Sequence, residues 1–326
     1  MVLTGTPLEN SAEDLWSIFD FLHAGLLGTL SSFRAKYAEL VKNADLKKEL
    51  SRRVAPFILR RKKNDVCLEL PEKQEQIVYC EMDDEQRKIY AYFAEKARRC
   101  YEEVRNSGGN PRNNGGQLAI FANLLRLRQI CCNPSLLPED LRQEYVKNTG
   151  NSLQTENSSK MELLQELLQE SIDSGHKVLI FSQFTTMLKS IAMTLEQLNI
   201  PYEYLDGSTK DRMDRVDSFN QSREIPVFLL SLKAGGVGLN LTAADTVIIY
   251  DPWWNPAAEA QAVDRIHRIG QTRNVNSIKL VMKDSVEEKV LDLQSRKKEL
   301  FDSLVEEPGS SLGNMTLEDF EFLLKN

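Results

Sequence analysis

At 326 residues, 41% hydrophobic and 27% charged, the chain is long enough for two domains and has the balance of an ordinary globular protein with a real core. Its 41 Lys and Arg against 48 Asp and Glu leave a net charge of −7, which argues against nucleic-acid binding by bulk charge and leaves that task to local basic patches. The longest apolar runs, such as Val247-Ile-Ile-Tyr250, are far too short to span a bilayer, and Met1-Val-Leu-Thr-Gly5 lacks the basic lead of a signal peptide.

In chain order, residues 1–24 read as a short apolar strand, a turn and an amphipathic helix from Ala12 to Leu22. Residues 25–159 read as a mostly helical stretch and a linker. Apolar residues recur at helical spacing through Phe33, Tyr37, Leu40 and Val41, through Ile89, Tyr90, Phe93 and Ala97, and through Leu118, Phe121, Leu124, Leu125 and Leu127. Gly/Asn-rich gaps interrupt it at Asn106–Gly116 and Asn148–Ser159, and the second reads as the linker.

From Lys160 the pattern alternates. Helix Met161–Ser171, strand Lys177–Ser182, helix Thr185–Leu198, strand Tyr202–Leu205, helix Lys210–Phe219 and strand Pro226–Ser231 come first. A glycine loop leads to strand Thr246–Tyr250, helix Pro256–Arg268, strand Asn274–Met282 and helix Val286–Leu304. Short apolar strands alternating with helices predict a parallel sheet covered on both faces, with ligands at the carboxyl ends of its strands. Ser182, Asp206, Ser231 and Asp251 begin stretches at such ends. The tail over 306–326 holds a short amphipathic piece around Leu317, Phe320, Phe322 and Leu323.

Several residues could carry chemistry. Arg265 and Arg268 lie three apart, so on the expected helix they share a face. Two adjacent guanidiniums weaken a helix but suit a polyphosphate, because each is a permanently charged planar fork for phosphate oxygens. The loop Ser231-Leu-Lys-Ala-Gly-Gly-Val-Gly-Leu-Asn240 holds three glycines in four residues, fit for phosphate contact or for a plain strand-to-helix turn. Its spacing matches neither a dinucleotide fingerprint nor a P-loop. Ser208 and Thr209, in Asp206-Gly-Ser-Thr209, could cap a helix starting at Lys210 or offer its N-terminus to a backbone phosphate. Trp253 and Trp254 sit in a loop between Pro252 and Pro256, where burial is the more frequent role for one of them and stacking on a base the other reading. The basic run from Arg52 to Lys63 reads first as a solvated helix face. His267 lacks a neighbouring histidine for a metal site. Cys67, Cys80, Cys100, Cys131 and Cys132 form no CxxC pair, so buried thiols in a reducing compartment are expected rather than zinc or disulfides.

Seven segments in order resemble the Swi/Snf-type family of DNA-dependent ATPases within helicase superfamily two. Leu3-Thr-Gly-Thr-Pro-Leu-Glu-Asn10 resembles motif III, at the end of the first RecA-like lobe. Phe57–Val66 with Leu70-Pro-Glu-Lys73, and Leu125–Pro134, resemble blocks of the family's helical insertion. Val178–Phe184 is similar to motif IV, Tyr204–Arg212 to motif IVa, Ser231–Asn240 to motif V and Gln261–Gln271 to motif VI. The resemblance implies a remnant of the first lobe over 1–24, the insertion over 25–159, and a second RecA-like (helicase C-terminal) lobe over 160–305, with an α/β fold.

It further implies that Arg265 and Arg268 act as arginine fingers on the γ-phosphate, with Gln261, Gly238 and Asp264 near the nucleotide. Ser182, Gln183, Gly207, Ser208, Thr209, Lys233, Ala234, Gly235 and Trp254 fall in segments that meet the DNA backbone, so contact is expected with double-stranded DNA regardless of sequence. ATP with Mg²⁺ is the implied cofactor, a nucleoprotein or polymerase the implied object of the motor, and an intracellular setting (nucleoid or cytoplasm in bacteria, nucleus in eukaryotes) the implied location. One departure stands out: the sequence contains no GxxxxGK[S/T], so the ligands of Mg²⁺ and the phosphates are expected on an N-terminal RecA-like lobe missing from this chain. Asp84-Glu85 follows the strand-like Gln76–Met82 and reads as a helix N-terminus, where the dipole favours acidic groups. The chain therefore reads as the C-terminal part of a DNA translocase, inactive by itself; the other open reading is a stand-alone binding module for nucleic acid or protein.

Overall fold

The computed structural model describes residue 2 and residues 12–37, 44–58, 70–106, 114–151, 158–232, 239–268, 270–305 and 322–324. The expected strand at Val2–Thr4 lies outside them. Two compact units divide the chain: residues 1–68, 254–257 and 292–320 form the first, and 69–253, 258–291 and 321–326 the second.

The first unit contains α1 (Ala12–Leu22), α2 (Leu30–Tyr37) and α3 (Ala44–Val54). Each helix buries a pair of apolar residues four apart: Leu15 and Phe19, Phe33 and Tyr37, Leu50 and Val54. That spacing puts each pair on one face, and the six form a single small core with Leu27. The Trp16 indole N–H donates to the Gly28 carbonyl at 3.0 Å and pins the α1–α2 turn, where Gly28 has φ +77°. Arg52 and Arg53 are exposed, and Arg53 pairs with Glu49 at 2.9 Å, while Arg60, Arg61, Lys62 and Lys63 of the same basic run lie outside the described residues.

The second unit is built on a six-stranded sheet of β1 (Lys73–Cys80), β2 (Val178–Ser182), β3 (Tyr202–Leu205), β4 (Val227–Ser231), β5 (Thr246–Ile249) and β6 (Val275–Met282). Every pairing is parallel, in the order β1-β6-β5-β2-β4-β3. The strand at 73–80 lies in the mostly helical stretch, where Gln76–Met82 reads as strand-like, and it starts three residues earlier than that reading. It aligns Lys73 with Val275 and Cys80 with Met282 at the sheet's edge, leaving Ile77 and Tyr79 exposed.

The helices of this unit are α4 (Asp84–Asn106), α5 (Asn114–Cys132), α6 (Glu139–Thr149), α7 (Ser159–Asp173), α8 (Thr185–Gln197), α9 (Arg212–Gln221), all but the first two residues of α10 (Pro256–Val263), and the start of α11 (Val286–Val305), whose residues from 292 onward belong to the first unit. Helix α4 starts where Asp84-Glu85 was read as a helix N-terminus, capped by Asp83, whose Oδ1 accepts from the Gln86 N–H at 2.7 Å.

Strand alternation sorts two cores. Val178, Ile180, Val227, Leu229 and Ile248 face α7 and α8, whereas Leu179, Phe181, Phe228, Leu230, Val247 and Ile249 face α9 and α10. The sheet is thus covered on both faces, which accounts for its almost purely apolar central strands. One expected element is shorter than anticipated: the helix predicted from Pro256 to Arg268 ends at Val263. There the bonding tightens to the i−3 pattern, from Arg265 N–H to Ala262 O at 3.2 Å and from Ile266 N–H to Val263 O at 3.1 Å. The Gln271 side chain, meanwhile, reaches back to the Ile266 carbonyl at 3.3 Å.

Beneath the sheet, Lys160 and Glu287 form a fully buried ion pair at 2.6 Å. The Lys160 ammonium also donates to the Tyr250 carbonyl at 3.2 Å and the Leu280 carbonyl at 3.4 Å, and Glu287 accepts from the Met282 N–H at 2.8 Å. Burial pushes the Lys160 pKa down, but Glu287 and its neighbours outweigh burial and leave it raised. Cys131 and Cys132 lie beside this pair, and burial raises both thiols, leaving them as unreactive core groups.

Candidate functional site

Chain direction changes between β5 and β2. Helix α8 leaves β2 over one face and α10 leaves β5 over the other. Such a switch point opens a crevice at the carboxyl ends of the two strands, the usual ligand position in an open parallel sheet. Here Asp251, fully buried at the end of β5, bridges the crevice. Its Oδ1 accepts from the Ser182 hydroxyl, and both of its oxygens lie 3.3 Å from the Gln183 backbone N–H. Arg128 of α5, 1% exposed, fills the gap: its guanidinium donates to Gln183 Oε1 at 2.8 Å and to the Pro252 carbonyl, and lies 3.7 Å from Asp251 Oδ2.

Burial raises the Asp251 carboxyl to about 6, and the Arg128 charge and Ser182 hydroxyl only partly offset it. A folded-state pKa above the ordinary carboxylate value gives stability that is present at low pH and lost as pH rises through about 6. Relative to Asp251→Asn, the native protein should therefore lose on the order of 3 kcal/mol between pH 4 and 7, from about two units at 1.4 kcal/mol each. Urea unfolding of both proteins across that range measures it; native stability that holds constant or rises with pH relative to Asp251→Asn would contradict the assignment.

Two strands beyond β2, Asp206 closes its own turn after β3. Its Oδ1 accepts from the Ser208 N–H at 2.8 Å and hydroxyl at 2.6 Å, and its N–H donates to Thr209 Oγ1 at 3.0 Å. The Ser208 hydroxyl bond, with the Ser208 N–H and Tyr204 hydroxyl, holds the Asp206 carboxyl below its usual range. The capping role expected for Ser208 and Thr209 is not found: α9 begins at Arg212, and the hydroxyls fold back on Asp206 instead. Gly207 and Ser208 are exposed and Thr209 half-buried, so the turn presents backbone to solvent.

Lys233, Ala234, Gly235 and Gly238 lie outside the described residues. Trp253 packs half-buried against the core, its N–H donating to Glu259 Oε1 at 2.6 Å, while Glu259 pairs with Lys279. Trp254 is half-buried and belongs to the first compact unit.

Arg265 and Arg268 sit in the turns beyond α10 rather than on one helical face. Arg265 is 6% exposed, and its pKa is lowered first by burial and then by the Arg268 charge. The turns hold both firmly: the Arg265 carbonyl accepts from the Leu241 N–H at 3.1 Å, and Arg268 Nε donates to the Asp264 carbonyl at 2.9 Å. Gln261 and Asp264, one on α10 and one just beyond it, are half-buried. Gln271 organises the segment, giving its side-chain N–H to Ala244 O at 2.7 Å and taking the N–H groups of Thr272 at 2.9 Å and Arg273 at 3.0 Å. His267 donates to the Pro71 carbonyl at 2.9 Å, a structural contact to the segment before β1.

Two family models match this chain, the SNF2-related domain over residues 1–136 and the helicase conserved C-terminal domain over residues 159–270. The chain belongs to the SNF2-type family of helicase-like ATPases. Among SNF2-type relatives, it is 36% identical to the TATA-binding protein-associated factor MOT1 of Saccharomyces cerevisiae, over 97% of this chain and 19% of that protein. It is 37% identical to the putative ATP-dependent helicase/translocase YwqA of Bacillus subtilis, over 94% of this chain and 32% of that protein. The SWI2/SNF2 ATPase core of Sulfolobus solfataricus, solved in complex with dsDNA, is 36% identical with a TM-score of 0.55, covering 93% of this chain and 62% of that one. The chain spans between 19% and 32% of the length of the curated SNF2-type relatives it matches.

Asp251, Arg128, Gln271 and Glu259 were not among the residues singled out from sequence. Asp251 was visible as a strand end; Arg128 lies in the Leu125–Pro134 block, but nothing in a helical pattern tells which basic residue there turns inward.

Proposed function

We propose that this chain is the C-terminal part of an ATP-dependent DNA translocase of the remodelling type. Arg265 and Arg268 act as its arginine fingers, Gln261, Gly238 and Asp264 lie near the nucleotide, and Lys and hydroxyl ligands for ATP and Mg²⁺ come from a first lobe this chain does not contain. Ser182 and Gln183 at the carboxyl end of β2 and Gly207, Ser208 and Thr209 at that of β3, together with Lys233, Ala234, Gly235 and Trp254, meet the backbone of double-stranded DNA.

The observation that carries this reading is the pair of guanidiniums beyond α10. The turn that carries them is tied down at both residues, with the Leu241 N–H on the Arg265 carbonyl at 3.1 Å and Arg268 Nε on the Asp264 carbonyl at 2.9 Å, so two permanently charged planar forks are held three residues apart, an arrangement suited to a polyphosphate. The motor's object is a nucleoprotein or a DNA-bound polymerase, and its setting is intracellular.

The 326-residue chain alone should show no DNA-stimulated ATP hydrolysis, measured by phosphate release with and without duplex DNA. Turnover that persists through purification and disappears in Arg268→Ala would overturn the division of the active site between lobes. DNA binding by this chain should be weak and salt-dependent. For about three phosphates contacted, affinity falls roughly fortyfold between 50 and 200 mM salt. Affinity that does not change over that range would count against backbone contact.

A further inference from the structure

The crevice at the β5–β2 switch point is plugged by a side chain from a distant helix, and the plug fixes the chemistry of its neighbour. Arg128 can only donate hydrogen bonds. Because it reaches Gln183 at 2.8 Å, the Gln183 carboxamide must turn its oxygen inward. The amide N–H₂ is then the free end, and among the described residues Gln183 Nε2 has no hydrogen-bond partner. It is covered from water in the unliganded protein, in a residue that is half-exposed as a whole. A shielded donor without an acceptor is costly, and an anionic oxygen is the acceptor that would relieve it most.

The same guanidinium holds the Pro252 carbonyl and stands beside Asp251, whose carboxylate ties down Ser182 and the Gln183 backbone. A single side chain on α5 therefore sets the relative position of the ends of β2 and β5. We propose that Arg128 is a positioning residue for DNA contact: it takes the Gln183 carboxamide oxygen and so presents the Gln183 N–H₂ group to a phosphodiester oxygen. This rests on the reading of this edge as the DNA-binding one.

The test is a double-mutant cycle on the 326-residue chain. Kd for a fluorescein-labelled 30-base-pair duplex would be measured by anisotropy for the native protein, Arg128→Met, Gln183→Ala and the double variant. Each single change should weaken binding about tenfold, and the double no more than either, since both remove one donor–phosphate contact. Multiplication to about a hundredfold in the double, or native affinity in Arg128→Met beside weakened Gln183→Ala, overturns the role of Arg128 and leaves the DNA edge standing. If Gln183→Ala and Lys233→Ala both bind as the native chain does, the DNA edge itself is wrong and the proposal falls with it. Should Arg128→Met not fold, Gln183→Glu replaces it: the carboxylate still accepts from Arg128 but has no donors. It should keep the melting temperature while weakening DNA at least about tenfold. Native affinity in that variant overturns the proposal.

Discussion

Arg268→Ala in the full-length protein is expected to lower DNA-stimulated ATP turnover by a factor of about 10³ or more, the scale of an arginine finger. Arg268 is the better target of the pair because it is half-buried, whereas Arg265 is 6% exposed and its removal would also leave a void in the core. Arg268→Lys keeps the charge and discards the planar fork, so it should recover only a fraction of the rate. The measurement is kcat at saturating ATP and DNA, beside a DNA Kd that should stay within about twofold, the two together separating chemistry from binding. A loss smaller than about tenfold would remove the finger role from Arg268.

Lys160→Met should destabilise the chain by about 3–5 kcal/mol, because it strands the Glu287 carboxylate in a site with no exposure to water. The native pair is tolerated only because other groups complete it, among them the Tyr250 and Leu280 carbonyls on the lysine and the Met282 N–H on the glutamate. Removing both charges, in Lys160→Met with Glu287→Met, leaves an apolar contact and should cost less than either single change. Urea midpoints for the three variants check this. A double variant as unstable as the sum of the singles would mean that the two charges act independently.

The sheet and its two cores were legible from the sequence because the strands are short apolar runs and the helices keep the 3.6-residue period, signals that survive without tertiary context. Strand β1 was legible only in part: Gln76–Met82 reads as strand-like, but the polar opening Lys73-Gln-Glu-Gln76 gives no sign that the strand pairs with β6 in the same sheet. The end of α10 was misjudged for a related reason: nothing local stops the helix at Val263, and the carbonyl-seeking side chain of Gln271 acts from eight residues further on. The arginine pair was legible as chemistry but not as geometry, since spacing of three promised a shared helical face and the chain delivers proximity through turns. Arg128 was unreadable in principle, as burial of a guanidinium is decided by acceptors that lie more than fifty residues away in the chain.

The pairing of Lys73 with Val275 joins residues about 200 positions apart. At a ribosomal rate of about 5–20 residues per second, β1 emerges some 10–40 s before β6, its neighbour among the described residues, has been made. For that interval Ile77 and Tyr79 sit on an open strand with no ladder to complete, a template for wrong pairing between nascent chains. Yield in the cell should therefore be governed by how well β1 is shielded during synthesis, a kinetic hazard independent of how stable the finished sheet becomes.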